Sequence, residues 1–165
     1  MQPKRLISEK HPTARILVVD DEESVCRILA RTLAPLGYAV DVALDADTAL
    51  DTMKTRPANV AVIDIRMPGH DGLWLIERLQ ERYPETAVVI VTGVRDLDPR
   101  LTLRPAVIGY ITKPFAAKKV REMVKQAVDS VRSLPRSPLR SLPDAISEAD
   151  LADLPDIDDD KDEEL

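Results

Sequence analysis

Aromatic residues make up only 3% of this 165-residue sequence, and cysteine occurs once, as Cys26. One cysteine cannot close an internal disulfide, which argues against a small disulfide-stapled secreted domain and makes a reducing cytoplasm the expected compartment. Long hydrophobic runs are missing too. No stretch approaches the roughly 20 apolar residues that cross a bilayer as a helix, so no membrane partner is expected. The first fourteen residues, MQPKRLISEKHPTA, lack the apolar core of a secretory signal. An excess of positive charge is absent as well: 23 basic residues face 29 acidic ones, a net charge of −6. Residues 133–165 hold three basic and eleven acidic groups, so the acidity belongs to that end of the chain. The remaining body is nearly neutral, and no nucleic-acid partner is expected. What is present is apolar material, at 44% of residues, enough for the core of one ordinary domain with a tail.

Five short apolar runs alternate with helical patterns: Ile16–Val19, Tyr38–Leu44, Val60–Ile63, Ala87–Val91 and Val107–Ile111. Four of them are nearly continuous, as expected of strands buried on both faces, whereas Asp41 interrupts the second and marks it as an edge strand. Val25, Ile28, Leu29, Leu33 and Leu36 form a helical stripe that ends at Gly37, a C-cap candidate. Ala46, Ala49, Leu50 and Met53 repeat the pattern. Leu75, Ile76, Leu79 and Tyr83 do so before Pro84, and Val120, Val124, Ala127, Val128 and Val131 give the last helix. The fourth helix, over Asp96–Arg104, is bracketed by Pro99 and Pro105 and is expected to be short or irregular. Five β-α units with right-handed crossovers give a parallel sheet with helices on both faces.

Ligands of open α/β sheets bind outside the carboxyl ends of the strands. The sequence places Asp20 and Asp21 after strand one, Asp64 at the end of strand three, Thr92 at the end of strand four and Lys113 after strand five. Each has an ordinary explanation by itself. Asp21 can cap a helix, Thr92 can end a strand, and Lys113 can be a surface charge beside Pro114. Together at one sheet edge, the three carboxylates repel one another unless a cation compensates. Mg2+ takes oxygen ligands from a few carboxylates and leaves room for a phosphoryl oxygen. Thr92 can hydrogen-bond a second phosphoryl oxygen and Lys113 can pair with a third. The central position of Asp64 makes it the candidate nucleophile, forming an aspartyl phosphate.

The segments LVVDDEES, VIDIRMPGHDG, VIVTG and GYITKPF resemble the four signatures of the two-component response-regulator receiver domain. The resemblance covers about residues 14–132 and keeps the order and approximate spacing of the family. It implies a flavodoxin-like (βα)5 three-layer sandwich, α/β in class, with a parallel five-stranded sheet of order 2-1-3-4-5. It also implies that a sensor histidine kinase or histidine phosphotransfer protein donates a phosphoryl group to Asp64, and that an unidentified downstream protein reads the result. Asp20, Asp21, Asp64 and the main-chain carbonyl of Arg66 then hold Mg2+, while Thr92 and Lys113 contact the phosphoryl group. Thr92 and Tyr110 form the conformational switch, Gly93 leaves room for the phosphoryl group, and the Lys113–Pro114 bond is cis. On this reading the protein is not an enzyme beyond its own phosphorylation and dephosphorylation, and is a monomer or a weak phosphorylation-dependent dimer. Two features depart from the pattern: the weak fourth helix, and Arg66, a cation close to the phosphorylation site.

Competing readings are weaker. A Mg2+-dependent aspartyl-phosphate phosphatase needs a second aspartate where Arg66 stands. A flavodoxin-like nucleotide binder needs a glycine-rich loop where Asp20 and Asp21 would repel phosphate. The expectation is a single-domain, receiver-only protein with an acidic tail; the alternative is the receiver fragment of a longer transcriptional regulator or hybrid kinase. Residues 1–13 are expected to be a flexible arm, 14–132 the receiver, and 133–165 a proline-containing linker and disordered acidic tail. The tail does carry one apolar set, Ile146, Leu151 and Leu154. His70 reads as a solvated loop residue without Cys/His partners, Cys26 as a small core-flanking hydrophobe, and Trp74 as a partly exposed residue off its helical stripe.

Overall fold

A computed structural model of the chain describes residues 14–93 and 98–133. The strands are β1 (Arg15–Val19), β2 (Ala39–Ala43), β3 (Val60–Ile63), β4 (Ala87–Thr92) and β5 (Val107–Thr112). Between and after them lie α1 (Glu23–Leu33), α2 (Ala46–Thr55), α3 (Gly72–Arg82), α4 (Pro99–Thr102) and α5 (Ala117–Ser133). All pairings are parallel and the sheet order is β2-β1-β3-β4-β5. This is the flavodoxin-like order, with the central strands read as continuous Val/Ile runs because both of their faces are covered.

The strand alternation divides the interior into two cores. Leu17, Val19, Ala61, Ile63, Val88 and Ile90 pack with the apolar faces of α2 and α3. Ile16, Val18, Val60, Val62, Val89 and Val91 pack with α1 and α5. Helix α2 buries Ala46, Ala49, Leu50 and Met53, and α5 buries Val120, Val124, Ala127 and Val128. Caps set the boundaries: the side chains of Asp45 and Asp71 accept from the amides of Thr48 and Trp74, opening α2 and α3.

Three expectations are corrected. β5, the edge strand that the 2-1-3-4-5 order implies, is not covered on both faces as its apolar run suggests, with Ile108 and Gly109 half-buried and Tyr110 exposed. In α1 the buried face is Cys26, Leu29 and Leu33, while Ile28 is exposed, because the spacing 26, 29, 33 is the one that faces the sheet. Gly37, with φ of 91°, caps a short 3-10 turn at Ala34–Leu36 rather than α1 itself. The edge position of β2 stands. Helix α4 is a single turn, opened by the Asp98 carboxylate accepting from the Arg100 amide. Residues 94–97, which include Asp96, lie outside the described residues, as do the arm 1–13 and residues 134–165 with Ile146, Leu151 and Leu154.

Candidate functional site

Strands β1 and β3 run parallel, with Val19 paired to Ile63, so the residues after them emerge side by side at the carboxyl edge. The Asp64 amide donates to the Val19 carbonyl at 2.9 Å, and the Asp20 amide donates to Ala43 at 3.2 Å. The ladder thus extends one residue further and fixes both aspartates. On the other side, the Lys113 amide donates to the Thr92 carbonyl at 2.8 Å and aims the lysine back across the edge. The Lys113–Pro114 peptide is cis.

The side chains converge. Lys113 Nζ lies 2.7 Å from Asp20 Oδ2 and 3.2 Å from Asp64 Oδ2, with Glu22 Oε1 at 3.7 Å. Asp20 and Asp64 are buried, Lys113 is 17% exposed, and Asp21 is exposed beside them. Carboxylate oxygens of Asp20, Asp21 and Asp64 lie within 4.8 Å of one another. Asp20 Oδ1 also accepts from the Glu22 amide at 2.9 Å, and Asp64 Oδ1 from the Arg66 amide at 3.3 Å. Burial pushes the Asp20 carboxyl above its ordinary value, and its bonds to Lys113 and the Glu22 amide offset that only in part. Burial acting alone would lower the Lys113 ammonium, yet the bond to Asp20 and the nearby Asp64 raise it overall. One ammonium therefore does not compensate the acids gathered around it. Hard oxygen donors with unbalanced negative charge fit a divalent cation with oxygen preference.

The remaining expected residues are placed around this cluster. Thr92 is fully buried at the end of β4, and Tyr110 on β5 is 49% exposed. A Cβ at Gly93 would meet nothing within 4 Å, so the space beside Thr92 is open. Gly72 shows the opposite: a Cβ there would come within 2.1 Å of the Asp64 carbonyl oxygen. Its amide donates to Ile65 at 2.9 Å, so the start of α3 is seated directly on the Asp64 backbone. Arg66 is exposed.

Some contacts escaped the sequence. Cys26 is fully buried under the site, its Sγ 3.3 Å from the Asp20 carbonyl, and burial followed by the Asp20 charge pushes its thiol up to about 11. His70 is more than a solvated loop residue. Its ring stacks on Trp74 with centroids 3.7 Å apart and planes 6° from parallel, and its Nδ1 lies 3.3 Å from Asp47 Oδ1 on α2. The Arg78 guanidinium sits 5.5 Å from the Trp74 ring centroid. The spacing 74, 78 carried part of this signal, since residues four apart are neighbours along a helix, whereas His70 precedes the Asp71 cap of α3.

The comparisons with known proteins agree with this geometry. Residues 16–125 match the family model described as the response regulator receiver domain. That match spans well over half of the chain. The chain belongs to the response regulator receiver family. Among relatives, the receiver is 33% identical over 118 residues to a probable transcriptional regulator, ycf27, of Porphyridium aerugineum, covering 71% of this chain and 49% of that one. It is 32% identical over 112 residues to the DNA-binding transcriptional regulator NtrC of Klebsiella pneumoniae, covering 67% and 24%. The chain thus spans about half or less of the length of these relatives. The solved receiver domain of NtrX from Brucella abortus superposes with a TM-score of 0.65 at 30% identity, over 70% of this chain and 98% of that one. Among the described residues no helix is long and apolar enough to cross a membrane.

Proposed function

We propose that this receiver accepts a phosphoryl group on Asp64 from the phosphohistidine of a sensor histidine kinase or phosphotransfer protein, in a Mg2+-dependent reaction. The observation that carries the reading is the placement of Lys113 Nζ against both Asp20 and Asp64 within a cluster of three carboxylates. Asp20, Asp21, Asp64 and the Arg66 carbonyl would hold the Mg2+ ion. Bound there, the ion neutralises charge on the aspartate and phosphoryl oxygens.

An Asp64 carboxylate oxygen attacks phosphorus, the O–P bond forms, and the N–P bond to the donor imidazole breaks. Lys113 gives up part of its pairing with Asp64 to contact a phosphoryl oxygen, and the Thr92 hydroxyl donates to another. Little else is required, because phosphoryl transfer depends chiefly on positioning and charge. The chemistry is confined to the protein's own phosphorylation and dephosphorylation. The exposed Tyr110 ring represents the unphosphorylated arrangement. When Thr92 turns toward the phosphoryl group, the ring moves inward and alters the β5 surface read by a partner protein.

Acetyl phosphate with Mg2+ tests the assignment. A hydroxylamine-sensitive phosphoryl adduct is expected on the wild-type chain and not on Asp64→Asn, which keeps size and loses the nucleophile. Undiminished labelling of the variant refutes the role of Asp64. A panel of histidine kinases and phosphotransfer proteins then identifies the donor.

A further inference from the structure

We propose that His70 is a positioning residue for phosphoryl transfer: stacked on Trp74 and paired with Asp47, it clamps the loop between β3 and α3 that presents Asp64 and the Arg66 carbonyl. The inference rests on the reading of Asp64 as the phosphoryl acceptor and adds a residue to that site.

The loop is held unevenly. At its start, Met67 is buried and the Arg66 amide donates to Asp64 Oδ1. At its end, Asp71 caps α3 and the Gly72 amide donates to Ile65. Pro68, Gly69 and His70 between them are all exposed. An exposed stretch with few buried contacts is a region that opens locally at low cost.

Gly69, at φ of +75°, turns the chain in a conformation that a side chain would strain, and the next residue's ring lies flat on Trp74. His70 Nδ1 donates to Asp47 in the first turn of α2, which immediately follows the β2–α2 connection. One side chain therefore ties the loop to two helices at once. Trp74 is in turn held from α3 by the Arg78 guanidinium, itself paired with Glu81 at 2.6 Å. Trp74 packs against the α2–α3 core, so the stack has a fixed floor. Stacked rings attract one another beyond the effect of the area they bury, so the loop is drawn onto that floor.

Loss of the clamp lets the loop sample arrangements in which the Arg66 carbonyl and Asp64 carboxylate no longer face one cation position together. The consequence falls on cation affinity more than on the fold, because the cores do not include His70. Outer-shell partners typically change metal affinity by about 10–100-fold, and a clamp acting through backbone is expected to change it by about threefold to tenfold.

The experiment compares the full-length wild type with His70→Ala, His70→Phe and Asp47→Asn. Trp74, the single tryptophan of the chain, reports Mg2+ binding by fluorescence without any phosphodonor. Hydrogen exchange of the Asp71 and Gly72 amides in metal-free protein reports the loop itself. His70→Ala is expected to raise the Mg2+ midpoint about threefold to tenfold and speed that exchange, with metal-free melting lowered only slightly. His70→Phe, which keeps the stack, is expected to recover part of both, as is Asp47→Asn. Equal midpoints and exchange rates in His70→Ala and wild type would overturn the proposal, as would a melting loss that accounts for the whole effect. Wild-type labelling by acetyl phosphate that persists in Asp64→Asn would instead overturn the underlying reading of the site.

Discussion

Both ends of the sheet bury charge, yet they are built on opposite balances. Toward the amino ends of the strands, Asp41 is 11% exposed and accepts from Arg15 at 2.7 Å and Arg56 at 3.0 Å. Nearby, the Arg15 amide donates to Asn59, and the buried Thr86 hydroxyl donates to the Ala58 carbonyl at 2.8 Å. One acid there is matched by two permanent cations. At the carboxyl edge one lysine faces Asp20, Asp21, Asp64 and Glu22. The first arrangement is satisfied without any ligand and reads as structure. The second is short of positive charge and reads as a site that completes itself with a cation.

The largest effect that sharpens this contrast is at the amino end. Asp41→Ala leaves Arg15 and Arg56 without their shared acceptor and is expected to cost about 2–3 kcal/mol in urea unfolding, as bonds to charged groups do. Phosphorylation by acetyl phosphate should survive in the folded fraction. Loss of labelling without loss of stability would erase the distinction between the two ends.

Next comes Asp21→Ala. It is expected to weaken Mg2+ binding by at least about tenfold while leaving the metal-free fold intact, since Asp21 is exposed. Unchanged affinity in a Trp74 fluorescence titration would contradict the cation site. Thr86→Val removes a buried donor from the Ala58 carbonyl and should cost about 1–2 kcal/mol with no change in Mg2+ affinity. A shift in that affinity would mean the two ends are coupled.

The smallest effect is a pH dependence. The native Asp20 carboxyl titrates above the ordinary value of 3.8, so between the two values the folded state binds the proton more tightly than the unfolded state. Stability from this group is fully present below 3.8 and is lost as pH rises through the raised native value. Metal-free Asp20→Asn should therefore melt above the wild type at neutral pH, and the gap should close as pH falls toward 3.8. Added Mg2+ should reverse the order. A wild type that melts higher than Asp20→Asn at neutral pH without metal would show that Lys113 does compensate the cluster.

Much of this molecule is legible in one dimension. The β-α alternation, the edge role of β2, and the convergence of Asp20, Asp21, Asp64, Thr92 and Lys113 follow from apolar periodicity and from the rule that sites form at the carboxyl ends of strands. What was not legible has a common cause. Ile28 and Cys26 both fit an amphipathic α1 within the tolerance of a helical stripe, and only contact with the sheet selects Cys26. The apolar run Val107–Ile111 suggests cover on both faces of β5, but Tyr110 is exposed, and only the packing of the neighbouring helices decides that.

By itself, then, the sequence determined which segments become strands and helices and which chemistry gathers at the carboxyl edge, because both are set by local pattern and short motifs. Tertiary structure alone decided the partners of residues far apart in the chain. Arg15 meets Asp41 across 26 positions, and His70 meets Asp47 across 23. Those pairs depend on strand register and helix packing, and no local periodicity encodes either.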